Sequence, residues 1–438
     1  MDSLKAQYQG RLNVFSKFYS QTGNAPSPYI YSKPGVSNIQ NSRVIYTQVD
    51  NSATPEWGQE MIFKIQDYGD LLYNLRLRVD LGPLQLNGTT VNASGATTTY
   101  ALANAFGVEM IARARLVIDN STKEIVYPRV KFLQDVQFDR NCGDLPTTEI
   151  GYYPTAFSTT SANWTPLYNA AAQSNSYVIN LPFFFNKSKS KAFRYKMMRA
   201  LRDNNLRICV TLNDFYNLVI PSSGGSITRT ANPGFTMAIN NFQLISDRIT
   251  LMPSTLTPIY QYQTVYFKEM VDYNNGATIT IPSSGGNPTQ TVFKLDSMQG
   301  MVNAIWFCIT STATATSNNP NRLITYSTNY QYVNPFMADE VTVLHQLEGY
   351  LYQFEIPRRE YGTLPAIPIL ALNFARVPEL DAPTGAYNAD GPVHTYFYIT
   401  MNGSFDGGTL QIYYFRDNEM QYSQENGGTL IKVLQPST

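Results

Sequence analysis

The feature that most constrains this chain is a pattern repeated along almost its whole length. Short runs in which apolar and polar side chains alternate are separated by clusters of Gly, Asn, Ser and Pro. Leu75, Leu77, Val79 and Leu81, interleaved with Arg76, Arg78 and Asp80, form the clearest run. A period of two puts one set of side chains on each face of a pleated strand, so such a run is a strand with one buried and one wet face. Residues 43–49, 60–65, 113–118, 124–127, 177–180, 206–212, 242–251 and 263–267 continue the series. So do residues 278–281, 302–310, 350–356, 394–401, 409–415 and 430–434. Many short strands divided by turn residues predict an all-β chain built of sandwiches or barrels.

At 438 residues the chain exceeds one ordinary domain. The best linker begins at Pro221 and ends near Pro233, and it leaves two halves, each with strands enough for one eight-stranded sandwich. The expected organisation is an N-terminal arm over 1–24, a first sandwich over 25–220, a linker over 221–238 and a second sandwich over 239–438, with short helices in the connections. The six residues from Ile220 to Gly225 recur from Ile281 to Gly286, an echo in turn chemistry too short to prove duplication. In the arm, Leu4, Tyr8, Leu12, Phe15 and Tyr19 fall on one helical face. That stripe needs a surface: its own domain, a sister subunit, or a membrane or partner. Residues 87–99, 147–176 and 311–329 are polar and read as surface loops, where an all-β scaffold often carries its contacts.

Enzyme chemistry finds little foothold. Nucleotide-binding glycine loops, nucleophile elbows, HExxH and EF-hand signatures are all missing from the sequence. His345 and His394 are the whole histidine supply, and both read as strand residues, so a histidine-rich metal site is excluded. Asp67 with Asp70, and Asp339 with Glu340, are close in sequence but read as solvated turn charges. No cofactor is expected. Cys209 and Cys308 sit in apolar runs and read as buried hydrophobes, whereas Cys142 lies in a polar turn. The N-terminus carries no apolar leader pattern and no run is long enough to cross a membrane, so a soluble product made in the cytoplasm is expected.

Thirty-two basic residues balance 32 acidic ones, which argues against a sequence-specific nucleic-acid binder. One segment departs from that balance. Lys187, Lys189, Lys191, Arg194, Lys196, Arg199, Arg202 and Arg207 face a single Asp203, with Phe193, Met197, Ala200 and Leu201 as an apolar stripe. A basic amphipathic helix can bind an anionic surface or pack against acidic groups of a neighbouring subunit. Six Asn-x-Ser/Thr sequons, at Asn87, Asn92, Asn120, Asn163, Asn186 and Asn402, reflect the make-up of the loops. Trp164 with Tyr152, Tyr153 and Tyr168 is the best aromatic cluster for a glycan-binding surface.

Three segments carry a family resemblance. Gly69, Asp70 and Leu71 open the long alternating strand; Leu181, Pro182, Phe183, Phe184, Phe185 and Asn186 form a second motif; Asn373, Phe374 and Arg376 belong to a third near the C-terminus. In order and spacing they resemble the major capsid proteins of nucleocytoplasmic large DNA viruses. Gln66-Asp67 stand where that family has Pro-Arg, and Ala375 where it has Ser, as in a divergent member. The resemblance implies two tandem jelly rolls and a structural, non-enzymatic role. It implies homotrimeric capsomers of pseudo-hexagonal outline that tile an icosahedral shell, with minor capsid and penton proteins and an internal viral membrane as partners. The chain would reside in the virion capsid and assemble in a cytoplasmic virus factory. Leu4, Tyr8, Leu12, Phe15 and the basic residues Lys187, Lys189, Lys191, Arg194, Lys196 and Arg199 would then face the interior. A scaffold protein of the poxvirus kind, with the same fold, and a β-sandwich carbohydrate-binding or attachment protein are the alternatives.

Overall fold

The computed structural model describes residues 39–48, 54–65, 71–92, 98–118, 120–138, 147–157, 160–186, 206–251, 263–274, 277–333, 336–338, 341–344, 347–348, 350–355, 358, 367, 369–376, 384–390, 395–425 and 428–433. The N-terminal arm, the basic stretch 187–205, Gly69, Asp70, both histidines, Cys142 and the carboxylates Asp67, Asp339 and Glu340 lie outside these residues.

The first unit is a sandwich of two four-stranded antiparallel sheets. Its strands are β1 (Ile39–Gln48), β2 (Glu60–Lys64), β3 (Leu71–Leu81), β4 (Ile111–Ile118), β5 (Ser121–Val126), β6 (Asn175–Asn180), β7 (Leu206–Leu212) and β8 (Ile239–Leu251). One sheet has the order β1-β8-β3-β6 and the other β2-β7-β4-β5. Sequence neighbours are rarely sheet neighbours, because the chain crosses repeatedly from one sheet to the other. Register follows the apolar alternation: Leu77 lies opposite Leu244 on one side and Ile179 on the other. A one-residue slip would turn this whole set to the wet face. Met61 and Phe63 from β2, Leu75 to Leu81 from β3 and Ala114, Leu116 and Ile118 from β4 fill the space between the sheets. Each fully buried Leu or Phe there stabilises by about 1.5–3 kcal/mol.

The strand β8 corrects the expected layout, which gave it to the second unit. It hydrogen-bonds to both β1 and β3 and is therefore the central partner of the first sandwich's sheet. The expected linker is also packed down. Val219–Pro221 pairs with Tyr100–Leu102, Phe235–Thr236 pairs with Gln85–Leu86, and Ile227, Phe235 and Met237 join the first core. The Gly and Pro content signals tight turns in this stretch rather than a tether.

The second unit contains β9 (Gln263–Asp272), β10 (Thr289–Lys294), β11 (Met301–Ser311), β12 (Tyr330–Val333), β13 (Phe336–Ala338) and β14 (Val341–Leu344). It closes with β15 (Leu370–Asn373), β16 (Thr395–Met401), β17 (Gly408–Glu425) and β18 (Gly428–Val433). One sheet runs β9-β17-β11-β15, with β18 on the far part of β17; the other runs β14-β13-β16-β12, with β10 also paired to β16. Short additional strands bring the sheets to seven and six members among the described residues, more than the eight expected in all. Residues 350–356, expected as a strand, instead contain a π-helical turn at Leu351–Glu355. The repeated Ile-Pro-Ser-Ser-Gly-Gly segments begin inside the short strands Val219–Pro221 and Ile279–Ile281 and turn out of them. In both, the glycine pair has positive φ (78° and 84° at Gly224 and Gly225, 58° and 97° at Gly285 and Gly286). The echo is thus one turn solution used twice, and it needs glycine because other residues avoid that backbone region.

Candidate functional site

For a chain of this build the working parts are surfaces and the framework that holds them. The second sequence motif lies in that framework. Leu181 to Asn186 follows β6 and is buried throughout. Phe183 and Phe185 stack 5.7 Å apart inside the first core. Phe184, in the same core, packs edge to face on Phe185 at 5.2 Å and meets Phe267 of β9, 5.1 Å between ring centres, so it touches a strand of the second unit. Asn186, 7% exposed, fastens the turn: its amide donates to the carbonyl oxygens of Leu75 (2.8 Å) and Leu181 (3.0 Å). The Phe184 N–H donates to the buried carboxylate of Glu124 at 2.9 Å. A glycan on Asn186 is incompatible with this burial. Three other sequon asparagines, Asn87, Asn92 and Asn120, occupy left-handed turn positions. Asn92 also donates to the Tyr100 and Tyr168 carbonyls, so its residue type serves the loop.

Of the remaining motif residues, Leu71 opens β3 opposite Ile249 of β8. Asn373 ends β15 opposite Ala304 of β11. The Phe374 N–H donates to the Asn303 carbonyl at 2.8 Å, and the Phe374 ring lies 5.4 Å from Tyr387. Arg376 is exposed. Pro182 is buried with its motif. The motif segments therefore lie at separate ends of strands and do not converge on a common pocket.

The seam between the two units is where sequence reading missed most. Strand β11 is buried on both faces. Ile305, Phe307 and Ile309 face the core of the second sandwich, whereas Ala304, Trp306 and Cys308 face the first unit. There they meet Val130, Phe132, Leu133 and Val136 of α1 (Pro128–Phe138). Two signals in the sequence foretell this. The run from Ala304 to Ile309 is apolar without alternation, the mark of a strand covered on both sides. Pro128 at the first helical position, with apolar residues at 130, 133 and 136, marks the helix. Trp306 and Phe415 pack edge to face at 4.8 Å, and Phe132 packs on Tyr152 at 5.0 Å.

Buried charges lock the same seam. Arg129 of α1 pairs with Glu109 at 3.3 Å and donates to the Leu323 carbonyl (2.5 Å) and the Tyr326 hydroxyl (3.2 Å) of the second unit. Burial, the largest single influence, works against the Arg129 charge, but Glu109 together with Tyr326, Tyr413 and Cys308 outweighs it and holds the guanidinium protonated. In the second sandwich Glu269 accepts from Arg416 and from Asn418, each at 2.8 Å.

Two expected outer loops are reshaped by this packing. Residues 147–176 hold Thr147–Ile150, two short 3-10 turns and α2 (Thr165–Ala172) rather than open loop. Trp164 is 4% exposed and packs with Ala101, Ala156 and Leu167, and Tyr152 lies in the seam. The aromatic cluster is thus a small core, not a sugar-binding platform. Residues 311–329 strap the two units together: Asn321 accepts from Asn104 at 2.8 Å and donates to the Ala156 carbonyl at 2.7 Å. The polar make-up of residues 311–329 does not mark this role, because the strap is held by asparagine amides.

Among the described residues no group of His, Cys, Asp and Glu could hold a metal ion, and no helix is long and apolar enough to cross a membrane. Two tandem sandwiches with crossed-over strands, joined through a buried seam, define a double jelly roll. Comparison with solved structures agrees. PBCV-1 VP54 superposes with a TM-score of 0.67 at 12% identity, over 92% of this chain and 99% of that one. The Faustovirus major capsid protein gives 0.61 at 11% identity, over 91% and 93%. A chain of the Sputnik virophage gives 0.53 at 10% identity, over 91% and 89%. Such low identities speak to the fold alone. No curated protein matches the chain by sequence. Residues 43–249 match the family described as the major capsid protein N-terminus, a span that ends inside β8 and so agrees with the corrected extent of the first sandwich. The chain thus has the double jelly-roll fold of these capsid proteins, and its first sandwich matches the major capsid protein N-terminus.

Proposed function

We propose that the chain forms homotrimeric capsomers that tile the facets of an icosahedral DNA virus. The observation that carries this reading is the pairing of two like sandwiches in one body with a buried seam. Three such chains around an axis supply six similar units, and a ring of heterologous contacts closes them into a pseudo-hexagonal outline. Jelly rolls suit the task because strands carry the core and leave the connections free for contacts. Net neutrality suits close packing, since like subunits do not repel one another strongly. In this reading the role is structural, and neighbouring capsomers, minor capsid and penton proteins are the partners. The arm bearing Leu4, Tyr8, Leu12 and Phe15 and the basic stretch from Lys187 to Arg199 face the interior and an internal membrane. Assembly takes place in the host cytoplasm.

Light scattering on the purified chain, with negative-stain images of the same fraction, tests the trimer. A mass near three times 49.2 kDa with six-sided particles is expected. A monomer that forms no arrays at high concentration would overturn the reading. A transient scaffold shares the fold, and finding the chain in purified virions separates the two. The attachment-protein reading has lost the exposed Trp164 surface on which it rested.

A further inference from the structure

A cavity of about 370 Å³ opens where the two sandwiches meet, lined from the first unit by Arg129, Tyr216 and Ser226 and from the second by Thr310, Arg322 and Gln411. Its two arginines are not equivalent. Arg129 is neutralised by Glu109. The Asp214 carboxylate, next in the chain but one to Tyr216, is engaged by Arg229 at 3.3 Å. Arg322 is 5% exposed, yet its contacts are two carbonyl oxygens, Gly225 at 2.6 Å and Ser317 at 3.1 Å, both reached from a single nitrogen, Nη1. Among the described residues it has no carboxylate partner. Buried cations are ordinarily paired, because a carbonyl dipole offsets desolvation less well than an opposite charge does. Burial accordingly pulls the Arg322 pKa below the usual arginine range, with no neighbouring charge to counter it.

We propose that this cavity is a binding site for a small oxyanion of the phosphate class, held by the Arg322 guanidinium. The planar guanidinium presents paired donors that match two oxygens of such an ion. The volume exceeds what one phosphate needs, leaving room for ordered water, and the Thr310 hydroxyl and Gln411 amide suit a hydrated ion. Because residues from both sandwiches line the cavity, the bound ion bridges them, and binding favours the docked arrangement by mass action.

Equilibrium dialysis of the full-length assembled protein against inorganic phosphate, at constant ionic strength set with sodium chloride, tests this directly. Saturable uptake near one phosphate per chain is expected, with at least a tenfold loss of affinity in Arg322→Gln. Thermal unfolding provides a second reading. A saturable rise of the midpoint with phosphate should occur in the parent and vanish in the variant, whereas the general salting effect of phosphate rises without saturation in both. Should Arg322→Gln fail to assemble, Ser226→Glu serves instead. Ser226 is exposed at the cavity wall beside Gly225, and its new carboxylate should abolish phosphate uptake by supplying the missing charge. Absence of saturable uptake by the parent protein, or unchanged uptake by the assembled variant, overturns the proposal.

Discussion

Replacing Asn186 isolates the contribution of one buried amide. In Asn186→Ala two short donated hydrogen bonds disappear, those to Leu75 (2.8 Å) and Leu181 (3.0 Å), along with a long contact to the Asn180 side chain at 3.4 Å that adds little. Neither carbonyl is orphaned, since the first still accepts from the Leu181 N–H at 3.1 Å and the second from the Phe183 N–H at 2.8 Å. The loss is therefore two net hydrogen bonds of about 0.5–1.5 kcal/mol each, or about 1–3 kcal/mol together. At about 2–4 °C per kcal/mol for a unit of this class, the thermal midpoint should fall by several degrees. Asn186→Asp is the sharper variant. It places two acceptor oxygens against carbonyl oxygens, with no donor unless the acid is protonated. Burial and repulsion should raise its folded-state pKa well above the unfolded value of about 3.9. For an acid raised in this way, the folded state holds the proton more tightly than the unfolded chain. Stability is then greatest below the unfolded pKa and declines as pH rises towards the folded pKa. A rise of about three units corresponds to about 4 kcal/mol at neutral pH, more than the alanine variant loses. Scanning calorimetry at matched rates from about pH 5 to pH 8 separates the cases. An aspartate variant as stable as the alanine variant at neutral pH, with no slope, would refute the assignment of Asn186 as a buried donor.

Four further outcomes follow from the packing. Trp306→Ala opens the seam and should cost about 3–5 kcal/mol, with limited proteolysis cutting between the sandwiches before either is degraded. Glu269→Gln leaves Arg416 buried without its counter-charge, and urea titration should show a loss of about 3–5 kcal/mol. Burial pushes the Cys308 thiol up to about 12 and raises Cys209, so neither should react with a disulfide reagent at pH 8 until denaturant is added. Burial lifts the Asp80 carboxyl, but donors from Ser176, Asn241 and Arg78 outweigh it and hold the group below the ordinary range. The resulting stability is present above about pH 3.9 and lost as pH falls through the lower folded value. Asp80→Asn should flatten that acid slope by less than about 1 kcal/mol, since the site is partly exposed.

Strands with one wet face were legible because their period is local. Leu75 to Leu81 predicts its own register, and Thr395 to Met401 does likewise. What escaped the sequence was mostly non-local. The run from Ile239 to Leu251 reads as a strand, but no residue in it announces that its partners are β1, nearly two hundred positions earlier, and β3. Residues 147–176 look like loop because small polar residues dominate, yet Trp164 and Leu167 suffice to nucleate a satellite core. The polar strap at Asn321 gives no hydrophobic signal, since its stabilising groups are amides satisfied across the seam. The Phe183–Phe185 motif was visible as a resemblance, and its physical reason appears only once Phe184 is seen to reach Phe267.

The doubly covered strand β11 has a mechanical consequence. A protein that bends in its middle needs a layer along which two bodies can slide, usually one that water can enter and leave. Here Trp306 and Phe307, adjacent in the chain, are anchored in opposite apolar layers, so sliding one body past the other would pull both rings from their sockets. Each chain therefore behaves as a single stiff tile. In any array built from it, curvature and elastic strain must be taken up at the joints between tiles, and those joints, rather than the subunit interior, set how flat or how sharply folded the surface can be.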